Sequence, residues 1–424
     1  MLLAAAARAQ EAAGTLSLRG QVRQGDHTGE TEAPHDLYGD LALTGIGHGS
    51  RFDTFFRLER DFGSDDGASD FYAGSLQVPG AIPGVGLALG RQFVSEGPGG
   101  VFVADAGKVR IDPGWPVSFT VFGGAPRYFE PTFTTNLLSQ DETIWGGSMR
   151  TTRLGGTQLS LGYFGLERAD RVLRQLVNVT ASRTFATLLG VPSFYGSLSY
   201  DADHQNLDLG TAGVDLLWTN PRLNFNLEGT YYKPQDDARR PALADLNRRE
   251  DPTFDLFAAG AMRQARAGVS HPFGPTLSGF VDYSFQHYDH IKDSQVENSH
   301  LASAGLMWLP GGDGLEVVRL QYYVIDSDAG RVDGGKALYE NRVYERVIFR
   351  TQIEVTSYDK ERNQSDTPIS GLAGVGFVVL PGLTWEVNFE GNRNDRFDED
   401  FRFGFLIEYN FRRRLARENE GKTL

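Results

Sequence analysis

In residues 401–411, Phe401, Phe403, Phe405, Ile407, Tyr409 and Phe411 occupy the odd positions, while Arg402, Glu408 and Asn410 fall on even ones. A period of two marks an extended strand, because successive side chains leave opposite faces of the pleat. One face of such a strand needs an apolar surrounding and the other tolerates charge. The pattern recurs along the chain. Leu16, Leu18 and Val22 alternate with Ser17, Arg19, Gln21 and Arg23, and Phe52, Phe56 and Leu58 alternate with Arg51, Asp53, Arg57 and Glu59. Leu223, Phe225, Leu227 and Tyr231 interleave Asn224, Asn226 and Glu228; Val318, Leu320, Tyr322 and Val324 interleave Arg319, Gln321 and Tyr323; Leu383, Trp385, Val387 and Phe389 oppose Thr384, Glu386, Asn388 and Glu390.

Segments of about ten residues with an apolar face, a Gly-rich or charged face, and turn residues between them are the pattern of a transmembrane β-barrel. The fold expected is therefore all-β: an antiparallel up-and-down barrel of 20 to 22 strands. Tracing the alternation gives about 21 strands, and bacterial single-chain barrels close on an even number. The alternation of short and long connections fails between Pro310 and Pro381-Gly382, which locates the miscount. With 40% hydrophobic residues and a mean hydropathy of −0.33, no run approaches the roughly 18 apolar residues of a transmembrane helix. No linker or low-complexity tract divides the 424 residues, so one barrel over residues 10–411 is the simplest organisation. Residues 1–9, with Ala7-Arg8-Ala9 as a small-x-small site, read as the end of a secretory signal. Residues 412–424 read as a periplasmic tail. The absence of cysteine suits passage through an oxidising periplasm.

Short connections are expected at Val78-Pro79-Gly80, Asp112-Pro113-Gly114, Thr219-Asn220-Pro221, Pro272-Phe273-Gly274-Pro275, Pro310-Gly311-Gly312 and Pro381-Gly382. Longer polar segments, among them 24–35, 64–69, 92–107, 126–142, 234–253 and 326–339, are expected outside the cell, since barrels of this kind keep short turns in the periplasm. Trp115, Trp218, Trp308 and Trp385 all neighbour short turns. Indole prefers the membrane boundary, so these four are expected in a periplasmic aromatic girdle.

The chain thus resembles Gram-negative outer-membrane barrels of the porin-like superfamily. The closing strand carries the likeness most specifically: Arg402, Gly404, Ile407 and Tyr409, with Phe411 as terminal aromatic, fit the superfamily's signal for the barrel assembly machinery. The chain departs from that pattern by continuing through Arg412-Arg413-Arg414 to Leu424. The resemblance implies lipid and lipopolysaccharide as surroundings and the outer membrane as location. A weaker resemblance, through Gly90-Arg91-Gln92, is to the sheath barrels of porin–cytochrome conduits, without the N-terminal Cys pair of some members.

Expected pore-lining residues are Arg19, Arg57, Glu228, Asp282, Arg319, Glu386 and Glu390, with Arg342, Arg346 and Arg350 as a row on one strand spanning 341–356. Spacing of four sets such guanidinium groups about 13 Å apart. A basic row attracts anions, whereas pairing with the acids would leave it structural. His287 and His290 point to opposite faces of a strand and have no third ligand placed by sequence, so no metal site is expected. Gly-x-Ser-x-Gly, Walker and dinucleotide motifs are absent, and no enzyme or cofactor is expected. A net charge of −14 gives no support for nucleic-acid binding. Two classes remain open: a channel for small solutes, and a scaffold enclosing a partner such as a multihaem cytochrome.

Overall fold

The computed structural model describes residues 11–24, 31–46, 49–62, 67–95, 102–128, 137–138, 142–168, 171–187, 190–203, 205–219, 222–233, 261–289, 297–312, 315–328, 330–344, 346–358, 367–394 and 397–414. The signal-like residues 1–9, the tail beyond Arg414, His290 and the segment 234–253 lie outside the described residues.

Twenty-two antiparallel strands close into one barrel, and among the described residues there is no helix. Two further two-residue segments, Thr31–Glu32 and Leu137–Leu138, lie beside it. Each wall strand pairs with the next in sequence, and Glu11–Gln24 pairs with Phe397–Arg414 to seal the wall. Closure satisfies every edge, which is why strands can stand in a medium without hydrogen-bonding partners.

The two faces of the pleat are chemically opposite. Large hydrophobes of the odd row in the closing strand are about half exposed, as with Phe401 and Phe403 at 47% each. Buried side chains include Ser17, Ser75, Gln92, Glu142, Ser148, Asp201, Asp208, Ser284 and Asp400. A soluble protein distributes polarity the other way. The concave side of a barrel crowds its side chains, so the more buried polar row is the lumen face and the aromatic row faces outward. In one sector the lumen face is itself apolar: Val94, Ala104, Ala106, Phe122, Ile144, Phe164, Leu166 and Leu176 form a closed cluster.

The ends of the wall also differ. Pro83-Gly84, Gly155-Gly156 and Pro381-Gly382 make tight connections at the end that carries both chain termini, where the Arg346 N–H also donates to the Val343 carbonyl at 3.1 Å. At the opposite end the strands Val85–Val94, Val117–Tyr128, Arg222–Tyr232 and Val347–Tyr358 stop. At the Pro381-Gly382 turn Gly382 has φ +85°, and a Cβ there would lie 2.1 Å from the Asn410 carbonyl oxygen, so no other residue fits that turn without displacing the backbone. Trp218, Trp308 and Trp385 lie in strands near the terminus-bearing end, and Trp115 stands in the connection between Ile111 and Val117 with 72% exposure.

Several expected boundaries are corrected. The strand Gly67–Ile82 runs straight through Val78-Pro79-Gly80, absorbing it as an irregularity, and turns at Pro83-Gly84 instead. Much of 92–107 and the start of 126–142 is wall: Val85–Val94, Phe102–Ile111 and Val117–Tyr128. The closing strand extends past Phe411, with Arg412, Arg413 and Arg414 opposite Ala13, Ala12 and Glu11, so these three arginines belong to the wall and not to a tail.

The largest correction concerns 326–358. There the chain forms two strands, Gly330–Val343 and Val347–Tyr358, where a loop and a single strand over 341–356 were expected. Arg342 is next to last in the first, Arg346 sits in the turn, and Arg350 belongs to the second. The three arginines therefore make no ladder along one strand. This hairpin supplies the strand that makes the count even.

Candidate functional site: the lumen wall

Register assigns side chains to the lumen face strand by strand. Arg19 and Arg23 share a row with Ser17 in Glu11–Gln24, and that row is opposite Asp36 and Tyr38 of Pro34–Thr44. Asp36 and Tyr38 are in turn opposite Glu59 and Arg57 of Arg51–Asp61. Arg57 lies at the centre of this sector. Its Nε is 2.8 Å from Asp36 Oδ1, it pairs with Glu59, and Asp70 Oδ2 lies 4.0 Å from its Nη1. The Tyr38 ring lies 5.3 Å from the Arg19 guanidinium and 5.8 Å from that of Arg57, close enough for cation–π attraction to both.

A second sector lies at the seam. Arg402 reaches Asp400 at 2.8 Å and Glu390 at 3.9 Å, while Arg23 contacts Asp400 at 3.2 Å. These groups, with Glu354 and Thr356, line a recess of about 390 Å³. Arg350 bridges Glu340 at 3.1 Å and Glu386 at 3.6 Å, a reach over four neighbouring strands. Tyr323 donates to Glu354 Oε1 at 2.7 Å, its ring lying over Gly334, where a Cβ would approach within 2.2 Å of the ring carbon. Farther round, Asp282 lies 3.4 Å from Arg266, and Tyr195 donates to Glu228 at 2.7 Å.

Of the residues expected in the pore, Arg57, Arg350, Glu386 and Glu390 thus take part in shared ion-pair networks, while Arg319 lies in the row with Gln321 and Tyr323. The assembly-signal residues divide by face: Arg402 and Gly404 turn to the lumen side, and Ile407, Tyr409 and Phe411 to the outward row, with Tyr409 and Phe411 stacked at 5.8 Å. His287 lies beside Asn298 at 2.9 Å and Asp289 at 3.3 Å.

One group of lumen residues was missed from the sequence. Lys108, Arg110 and Arg150, with Gln77, Ser118 and Thr120, line a recess of about 460 Å³ toward the terminus-bearing end. Arg110 and Arg150 flank the strand Val117–Tyr128, opposite Thr120 and Ser118 respectively. Arg110 leans to Asp112 of the adjoining turn at 2.9 Å, and Lys108 also lines a neighbouring recess with Asp40, Arg51 and Asp53. The signal was available: Lys108 and Arg110 alternate with Val109 and Ile111, and Arg150 follows Met149 in the opposite row. They were passed over because they stand one or two to a strand, and only register brings them together.

No family model and no curated protein matches the chain. Solved structures similar to it include Pseudomonas aeruginosa OccK2 (OpdF) in complex with glucuronate, at 12% identity and TM-score 0.48, covering 95% of this chain and 98% of that one. Pseudomonas aeruginosa OpdK with vanillate is similar at 12% identity and TM-score 0.47, covering 95% and 99%. A BenF-like porin from Pseudomonas fluorescens Pf-5 is similar at 12% identity and TM-score 0.47, covering 95% and 98%.

Proposed function

We propose that the protein is a porin-like channel of the Gram-negative outer membrane that passes small solutes by diffusion, with anions favoured at the recess formed by Lys108, Arg110 and Arg150. The observation that carries the reading is the inverted polarity of a closed 22-strand barrel: an outward apolar row and an inner row of polar groups and ion pairs. A water-filled interior needs such a lining, because each charged group on it must be solvated or paired. Most lumen arginines described above are held by carboxylates and fix the wall. The recess toward the terminus-bearing end differs in gathering three cations beside the hydroxyls of Ser118 and Thr120, an arrangement that draws anions by local potential and offers them hydrogen-bond donors.

The test is a planar-bilayer measurement of reversal potential in a salt gradient. Wild-type protein is expected to conduct, and Lys108→Glu/Arg110→Glu/Arg150→Glu to shift selectivity toward cations. Arg342→Glu, outside the recess, is expected to shift it less. Robust channels with equal selectivity in wild type and triple variant would remove the recess from the reading. A folded barrel that passes no ion would overturn the channel and return the lumen to the scaffold class.

A further inference from the structure

The outward face should be apolar throughout the lipid belt, yet charged residues stand in its rows near the strand ends, and three of them come together on neighbouring strands. Arg91 shares the outward row of Val85–Val94 with Leu87, Leu89 and Phe93; Asp105 shares that of Phe102–Ile111 with Val109 and Ile111; Arg127 shares that of Val117–Tyr128 with Phe119 and Val121. The exposed hydrophobes in those rows include Leu89 at 60% and Val121 at 58%, which fixes the rows as the membrane side.

The three converge. Arg91 Nε lies 2.8 Å from Asp105 Oδ1 and Arg127 Nε lies 2.7 Å from Asp105 Oδ2. Arg91 is held further by its Nη1, which donates to the Phe71 carbonyl at 2.8 Å, and by the Phe71 ring at 5.7 Å. The two guanidinium groups are thus pinned, with 17% and 16% of their side chains exposed. Among the described residues they contact one acid, so the cluster carries two positive charges against one negative.

Its height on the wall is set by register. Arg91 lies three residues from the end of its strand at Val94, Asp105 three from the start of its strand at Phe102, and Arg127 one before Tyr128. All three sit toward the end opposite the chain termini, which is the cell-surface end of an outer-membrane barrel whose short turns face the periplasm. A ligand reaching this cluster from outside the barrel has its chains on Leu87, Leu89, Val109 and Val121 and its head group at the strand ends.

We infer that Arg91, Asp105 and Arg127 form a binding site for the phosphate of an outer-leaflet glycolipid head group. A phosphate oxyanion supplies the charge the cluster lacks, and guanidinium forks match its geometry in two-point contacts. Asp105 sets the spacing of the forks and weakens the hold, since it competes for the same donors. The site depends on which face meets lipid, not on whether the lumen conducts.

The test titrates detergent-purified barrel with bis-phosphorylated lipid A bearing a fluorescent acyl reporter, with heat-modifiable migration as the check on folding. Arg91→Gln/Arg127→Gln is expected to weaken binding by about tenfold, the loss of charge-assisted bonds to one group. Asp105→Asn is expected to tighten it severalfold. Excess inorganic phosphate, which lacks the chains, is expected to leave lipid binding unchanged. Equal affinity in wild type and folded double variant overturns the proposal, as does unchanged or weaker binding by Asp105→Asn. Displacement by inorganic phosphate also overturns it, assigning the cluster to a free anion. Should the double variant not fold, wild type decides alone: lipid A stripped of both phosphates must bind at least tenfold more weakly, and equal binding refutes the site.

Discussion

Two charge clusters on neighbouring strands show how the same side chains serve opposite media. On the lumen side, one arginine, Arg57, is surrounded by Asp36, Glu59 and Asp70. On the outward side, one acid, Asp105, is shared by Arg91 and Arg127. The stoichiometry is inverted. In the lumen the extra acid is held by further hydrogen bonds, as where the Tyr72 hydroxyl donates to Asp70 at 3.2 Å. Excess base on the outer rim has a membrane surface beside it, where the available counter-charge is a head group. Burial is similar in the two clusters, with Arg57 at 23% exposed and Arg127 at 16%, so the difference lies in the neighbouring medium and not in depth.

The strongest way to break this comparison is to move charge onto the outer face where no partner exists. Phe405 stands mid-strand in the outward row, and Phe405→Arg is expected to cost about 2–4 kcal/mol. Glu408→Gln, on the lumen row of the same strand, is expected to stay within about 0.5 kcal/mol. Urea-induced unfolding of the refolded barrel in detergent, followed by heat-modifiable migration, measures both. Similar costs for the two would mean the faces have been assigned the wrong way round.

A smaller effect separates the clusters themselves. Arg57→Ala leaves three carboxylates facing one another, and with the arginine about a quarter exposed the expected loss is about 2 kcal/mol, below the range for a fully buried pair. Arg127→Ala leaves Asp105 still held by Arg91, for an expected loss of about 1 kcal/mol. In the same unfolding assay, equal losses would deny that stoichiometry matters. Smallest of all is Asp70→Asn. At 4.0 Å from Arg57 the acid is the outermost of the three, and its neutralisation is expected to change stability by about 0.5 kcal/mol or less. A larger loss would make Asp70 a holding partner and the cluster a four-membered unit.

The fold was largely legible because the barrel's two media force alternation on nearly every strand, as in Phe401 to Phe411. It failed where alternation or turn chemistry was silent. Gly330–Val343 contains Asp333, Gly334, Gly335 and Lys336 in succession, so half of it shows no apolar row and it reads as a loop. The turn after it has neither Gly nor Pro: Tyr344 itself adopts φ 52°, a conformation with no marker in an aromatic residue. Both gaps fell together, and they merged Arg342, Arg346 and Arg350 into one row. The opposite error at Pro79-Gly80 arose because proline and glycine signal an irregular backbone as readily as a reversal. The site was less legible than the fold. Alternation tells which side of a strand Arg57 or Arg150 takes, but which residues stand beside them is a matter of register between strands, and register is absent from any single segment.

The seam between Glu11–Gln24 and Phe397–Arg414 has a consequence in time. Its fourteen rungs, Glu11 with Arg414 through Gln24 with Phe401, run without a register shift, yet they join segments at opposite ends of the described wall. Bringing such ends together costs chain entropy that grows with the logarithm of their separation, about 5 kcal/mol for a loop of roughly four hundred residues. Every other wall pairing joins consecutive strands and can zip locally. The first strand therefore waits, with its outer edge unpaired, until the last one is delivered, and the intermediate is an open sheet with two sticky edges. A chain arrested before Phe397 could never complete itself and would offer those edges to another chain. This places the greatest demand for chaperoning on the final step, and makes the speed of seam formation the quantity that decides between insertion and aggregation.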